Sequence, residues 1–320
     1  MEHTLILPGT GLSVSPFGLG CTRAGSAWTG ERADRLLDYF VGMGGNVIDT
    51  ARIYGLPDIG ASEATLGGWL HRRGRRSDIV LMTKGGHPEV SSMHVSRMSR
   101  RDMELDLAAS LRALRTDYVD IYFYHRDDED QSVGELLECM EDFRRAGHIR
   151  FYACSNWSTR RMREADAYAR AHGLTGFVGN ECLYNLGSAG AGPLHDDTLV
   201  RADADMLAYH QGSTHNTMMP YSGLCEGFFH RLESSPSVQD ARLTGSPYHT
   251  SANLRLAGRV ALLREKYAAT TSQVLAGFFF TSAVPMLPLF GCSSESHLSE
   301  LLAAVDIPFT AQDYRLSPDA

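Results

Sequence analysis

The chain has 320 residues, a formal net charge of −8, and 43% hydrophobic against 21% charged residues. That length suits one large α/β barrel or two ordinary domains, and it can bury a core without disulfides or a structural metal. The acidic balance argues against nucleic acid or an anionic membrane surface as partner, because both need a basic face.

Among the 30 basic residues only Lys84 and Lys266 are lysines. Where arginine stands in nearly every cationic position, a lysine that remains marks a place arginine cannot fill. The N-terminal MEHTLILPGTGLSVSP has neither the basic start nor the long apolar core of a secretory signal. The most apolar neighbourhood, Val274 to Leu289, is broken by Gly277, Thr281, Ser282, Pro285 and Pro288, so no membrane helix is expected. Cys21, Cys139, Cys154, Cys182, Cys225 and Cys292 lie far apart without metal-ligand spacing. The expectation is free thiols, no metal and a reducing, cytoplasmic setting.

Taken in chain order, short apolar runs alternate with amphipathic stretches. Pro16–Gly20 reads as a strand and Glu31–Gly44 as a helix, with Leu36, Leu37, Phe40 and Val41 on one face. Strands follow at Asn46–Asp49, Asp78–Lys84, Tyr118–Tyr124, Ile149–Cys154 and Gly176–Cys182. Between them the period changes to that of helices, at Gly60–Arg73, Arg101–Arg115, Ser132–Ala146 and Thr159–His172. A strand near Met286–Phe290 and a helix at Glu295–Val305 close the series. Such alternation predicts a parallel sheet of about eight strand–helix units. An open doubly wound sheet would carry G-x-G-x-x-G after its first strand, and GLGCTRAGSAWTG lacks it. The expected fold is therefore one (β/α)8 TIM barrel over residues 1–320, with extra loops and a C-terminal helix. Gly187–Asp197 and Leu232–Asn253 interrupt the pattern, and the second is long enough to be a functional lid.

In such a barrel, function collects at the C-terminal strand ends. There the sequence places Asp49, with Tyr54 five residues on, then Lys84, His125, and the run Ser155-Asn156-Trp157. Each alone has an ordinary structural reading. Four titratable groups on consecutive strand ends, one of them a rare lysine, point to a common site.

These segments, VIDTARIYG, MTKGG, YFYHRDD and CSNW, together with NECLYNL, MPYSGLCEG and LFGCSSESHLSELLAAVDI, resemble the aldo-keto reductase family across nearly the whole chain. The resemblance implies a nicotinamide-dependent interconversion of carbonyl and alcohol. Tyr54 would exchange the proton with the carbonyl oxygen. Lys84, with Asp49 as counter-ion, would lower the phenol's pKa, and His125 would orient the carbonyl or assist the relay. Ser155 and Asn156 would hold the carboxamide. Glu181 stands where many members have glutamine, keeping an acceptor and losing a donor. Tyr221 would stack on the nicotinamide, with Ser222, Leu224 and Glu226 along the pyrophosphate path.

At the adenosine end, Gly291, Ser293 and His297 fall in a segment where NADP-preferring members usually carry Lys or Arg. Here it holds none, so NADP is the family default and NAD a plausible alternative. The substrate pocket is expected from Arg23, Trp28, Ile53, His87, Arg126 and Trp157, and the polar His87 and Arg126 suggest a small polar or sugar-like substrate. The alternative is a cofactor-binding regulatory subunit on the same barrel with little turnover.

Overall fold

The computed structural model describes residues 4–235 and 237–315. Two short strands, β1 (Leu5–Leu7) and β2 (Leu12–Val14), pair antiparallel as a hairpin that the sequence reading passed over. The barrel strands follow: β3 (Gly18–Gly20), β4 (Val47–Asp49), β5 (Val80–Gly85), β6 (Val119–Tyr124), β7 (Ile149–Ser155), β8 (Phe177–Leu183), β9 (Thr217–Tyr221) and β10 (Leu289–Phe290). They form one parallel sheet in the order β10-β3-β4-β5-β6-β7-β8-β9. The ring is drawn shut where Leu287 N–H donates to the Met218 carbonyl at 2.9 Å, beside a Met218–Met286 bridge.

Helices alternate with the strands: α1 (Gly30–Gly42), α2 (Ala61–Arg73), α3 (Arg100–Leu114), α4 (Val133–Arg145), α5 (Thr159–His172) and α6 (Ala204–Gly212). After β9 come α7 (Phe228–Ser234), α8 (Ala241–Thr244), α9 (Ser251–Tyr267) and α10 (Thr271–Phe280), and α11 (Glu295–Ala303) follows β10. Their starts obey local chemistry. The side chains of Ser99, Ser158, Asp203 and Ser294 each accept from a backbone N–H one turn on, and Thr270 forms a reciprocal capping box with Gln273. The barrel and its helices are as the alternation predicts.

Two apolar layers hold the frame. Outward residues such as Ile48, Leu81, Tyr122, Tyr152 and Phe177 pack beneath the helices. Inward residues Val47, Val80, Met82, Ile121, Phe123, Ala153, Val178 and Met219 fill the barrel. The hairpin adds Leu7, Leu12 and Val14 to that interior cluster, which makes it the plug of the barrel floor. Below the site the interior is therefore a packed solid, and the barrel interior opens at the opposite mouth.

Candidate active site

The strand period of two carries the interior ladder up to the mouth. On β4, Val47 is followed two residues on by Asp49; on β5, Val80 and Met82 lead to Lys84; on β6, Ile121 and Phe123 lead to His125 just past the strand. On β7, Phe151 and Ala153 lead to Ser155, and on β9 Met219 leads to Tyr221. Strand β8 reaches the mouth out of phase. Its pairing with β7 passes from Tyr152–Phe177 to Cys154–Asn180 and Ser155–Glu181, so β8 holds one extra residue there. That bulge turns Glu181, rather than Asn180, inward. Gly179 sits in it, and a Cβ at that position would lie 2.5 Å from the Met219 side chain.

Lys84 is the centre of the cluster. Its ammonium donates to the Asp49 carboxylate, to the Thr50 carbonyl at 2.9 Å, and lies 3.1 Å from Glu181 Oε2. All three side chains are buried. Nζ also stands 5.3 Å from the centre of the Tyr54 ring and 5.6 Å from that of Phe123. Burial works against the Lys84 charge, yet Asp49, Glu181 and Tyr54 together hold it protonated above its ordinary range. Burial pushes the Tyr54 phenol up to about 12, while Lys84 draws it down. Lys84 thus lowers the phenol as expected, but desolvation outweighs it, and Tyr54 rests as an intact acid.

His125 packs edge-on to Tyr54 (5.8 Å between ring centres) and to His87 (4.6 Å). Its Nδ1 is buried without a partner. Burial, then Arg126, His87 and Lys84, press its pKa well below the usual histidine value, so the ring is neutral at physiological pH. Asn156 adopts φ 61°, a left-handed conformation that asparagine tolerates. Its amide donates to Ser155 Oγ (3.0 Å) and to the His125 carbonyl (3.3 Å), and its oxygen accepts from Tyr221 OH (2.7 Å) and Val200 N–H (3.0 Å). Asn156 therefore fixes Tyr221 from below, and its amide is fully engaged.

Two cavities meet at this cluster. One, of about 520 Å³, is walled by Ile53, Leu56, Val90 and Leu199, with His87, His125, Arg126 and Asp196. The other, about 670 Å³, runs as a groove past Ser222, Leu224, Glu226, Gly291 and Ser293 to His297. Thr22, Tyr54, Glu181 and Tyr221 line both, so the phenol stands at the junction. The groove suits a dinucleotide by its unfilled polar atoms: Glu181 Oε1 and His297 Nε2 are buried without a partner.

The structure thus brings together Asp49, Tyr54, Lys84, His125, Ser155, Asn156, Glu181 and Tyr221. Two substrate expectations are not met. Trp28 and Trp157 are fully buried and line neither cavity. Trp157 packs on Tyr124 and Phe177 and donates to the Arg126 carbonyl, so it supports the wall from behind. None of the described residues of Leu232–Asn253 lines the smaller cavity. Instead Leu243 and Tyr248 pack with Phe228 and Cys225, which makes the stretch a structural buttress rather than a lid. The other irregular stretch, Gly187–Asp197, is the one that reaches the pocket, through Asp196.

Sequence reasoning missed Thr22, Leu56, Val90, Asp196 and Leu199, none of which stands at a strand end. It placed Arg23 in the substrate pocket, whereas Arg23 lines the groove instead, and it did not single out two other arginines there. Arg231 lines it from α7, and Arg32 on α1 donates to the Ser293 carbonyl at 2.9 Å. The segment Gly291–His297, itself bare of arginine, is thus contacted by Arg32, and the groove it lines also takes in Arg231.

A parallel barrel with lysine, tyrosine and histidine gathered where two cavities join is the framework of a nicotinamide-dependent carbonyl oxidoreductase. Comparison with known proteins gives the same class. The model of the Aldo/keto reductase family matches residues 16–317. The chain belongs to the aldo/keto reductase family.

Among curated relatives, an aryl-alcohol dehydrogenase of Pestalotiopsis microspora is 27% identical, the alignment covering 98% of this chain and 80% of that protein. Norsolorinic acid reductase B of Aspergillus parasiticus is 28% identical, covering 98% and 82%. An aldo-keto reductase from Klebsiella pneumoniae, solved in complex with NADPH, superposes with a TM-score of 0.73 at 23% identity, covering 98% of this chain and 93% of that one. At that identity the likeness speaks for the fold.

Proposed function

We propose that the chain reduces aldehydes or ketones with an apolar, aromatic body, using NADPH, and oxidises the matching alcohols in reverse. The observation that carries this reading is the junction itself: the Tyr54 phenol stands between a cavity with aliphatic walls and a groove whose lining includes Arg23 and Arg231.

A nicotinamide bound in the groove supplies the hydride. Everything else falls to the chain's own residues. Tyr54, still protonated, donates its phenol proton to the carbonyl oxygen as negative charge develops there, and Lys84 stabilises the phenolate left behind. Asp49 keeps Lys84 charged and in place. His125, neutral, offers a hydrogen bond that orients the carbonyl. Ser155 and Glu181 would hold the amide of the cofactor, and Tyr221, tied by Asn156, would support its ring.

Arg126 bears on the substrate class. Its guanidinium is committed to Thr198 Oγ1 (2.8 Å), the His125 carbonyl (2.9 Å) and Asp196 (3.1 Å). Three of its five N–H donors are so taken, while Ile53, Leu56, Val90 and Leu199 present aliphatic surface. That contrast favours an aryl carbonyl over the sugar-like substrate suggested by the sequence, and the names of the two relatives point the same way. For the cofactor, Arg231 on the groove wall would supply the positive charge that a 2′-phosphate pairs with. Following NADPH and NADH consumption over a panel of benzaldehydes, aryl ketones and aldoses tests both points. The aryl carbonyls should lead in kcat/KM with NADPH. Aldoses leading, or cofactor binding without any turnover, would overturn the reading in favour of a polar substrate or a regulatory role.

A further inference from the structure

Glu181 is a second carboxyl around a single ammonium. Lys84 has three N–H donors: the Asp49 carboxylate and the Thr50 carbonyl accept two, and Glu181 Oε2 lies 3.1 Å from Nζ as a second ion-pair partner. With both carboxyls ionised this buried cluster would carry a net negative charge, with no further cation among its contacts. Glu181 Oε1 accepts from no donor. Uncompensated charge in such a place is relieved by taking up a proton.

We propose that Glu181 is held as a neutral carboxylic acid and acts as a positioning residue, its proton keeping Asp49 as the sole anion paired with Lys84 and so preserving the acid strength of Tyr54. A neutral acid also restores, in its O–H, the donor that glutamate was expected to lack. When the proton leaves to water in the cavity that Glu181 lines, a second anion shares the Lys84 ammonium. The ammonium then does less for the phenolate, and proton donation to a carbonyl weakens. The barrel mouth thus contains a switch that turns down reduction in alkali.

The groups facing Glu181 agree with this. Asp49 on β4 repels its charge, Lys84 on β5 draws it, Tyr54 and Tyr221 are protonated phenols, and Cys154 and Cys182 are protonated thiols. Burial and the Asp49 charge hold the Glu181 carboxyl well above the ordinary carboxylate range, although Lys84 pulls it down.

The proposal rests on the reading of Tyr54 as proton donor, but its decisive test does not need turnover. Infrared difference spectra of the wild-type protein and Glu181→Gln at neutral pH should show a protonated-carboxyl C=O band, shifted in D2O, that only the wild type has. Asp49→Asn should lose that band too, because Glu181 must then ionise to balance Lys84. Stability supplies a second readout. A folded pKa above the unfolded one gives a contribution fully present at low pH and lost as pH rises through the folded value. Wild type should therefore lose thermal stability toward alkaline pH faster than Glu181→Gln, and its kcat/KM for reduction should show one alkaline ionisation that the variant lacks. Identical carboxyl bands in wild type and Glu181→Gln would overturn the proposal whatever the activity. A band present with no turnover of any carbonyl would sustain the proton on Glu181 and sink the role of Tyr54 instead.

Discussion

The floor and the mouth of the barrel are built by the same strands and obey opposite rules. At the floor, Val47, Val80, Ile121 and Val178 meet the hairpin residues Leu7, Leu12 and Val14 in a cluster without a titratable side chain. One or two inward steps higher, the ladder ends in Asp49, Lys84, His125, Ser155, Glu181 and Tyr221, nearly all of them still buried. The floor gains stability from apolar burial, with Thr217 Oγ1 at the start of β9 its unpartnered exception. The mouth leaves His125 Nδ1, Glu181 Oε1 and His297 Nε2 without partners, a cost that only a ligand removes.

That contrast can be broken from either side. At the mouth, Lys84→Met should have the largest effect. It leaves Asp49 as an unpaired buried charge, a loss of about 3–5 kcal/mol in stability, and it should lower kcat about 10²–10⁴-fold. Denaturation and steady-state assays measure both, and near-native turnover would remove Lys84 from the site. At the floor, Leu7→Ala should cost about 2–5 kcal/mol in urea unfolding while the kcat of the surviving folded protein stays close to wild type. A kcat that collapsed with it would show that floor and mouth are not separable.

Smaller effects sharpen the boundary between groove and pocket. Arg231→Gln should weaken NADPH binding by about 1.5–3 kcal/mol, the range of a charge-assisted hydrogen bond, and leave NADH nearly unchanged. Fluorescence titration of both cofactors reads this, and an equal loss for the two would take the 2′-phosphate away from Arg231. The pH profile gives the subtlest signature. With His125 neutral, the rate of reduction should show no imidazole ionisation near pH 6–7. An acid limb that vanished in His125→Asn would mean an imidazolium takes part.

Much of this was legible in the sequence because it rests on short-range periodicity. Alternating runs give the barrel, and strand ends give Asp49, Lys84 and His125. What stayed hidden depends on register or on contacts between distant segments. The bulge that turns Glu181 inward is one extra residue against β7, visible only once the strands are paired. Trp157 follows the strand-end motif directly, yet its indole folds back beneath the helices onto Tyr124. Arg126 looks free in sequence and is pinned by Asp196 and Thr198, some 70 residues away. Arg32 reaches Ser293 across 261 positions, so scanning Gly291–His297 for arginine could not find it. The scarcity of lysine, in contrast, proved a sound pointer: of the two, Lys84 is the buried centre of the cluster, while Lys266 is a surface partner of Asp313.

The central claim is that Tyr54, at the junction of the two cavities, delivers the proton. Tyr54→Phe removes one oxygen and little else, so single-turnover reduction of an aryl aldehyde, run beside NADPH titration of the same protein, isolates that act. Chemistry slowed by about 10²–10⁴-fold with an unchanged NADPH Kd is the expected result. Carbonyl reduction at the wild-type rate would contradict it.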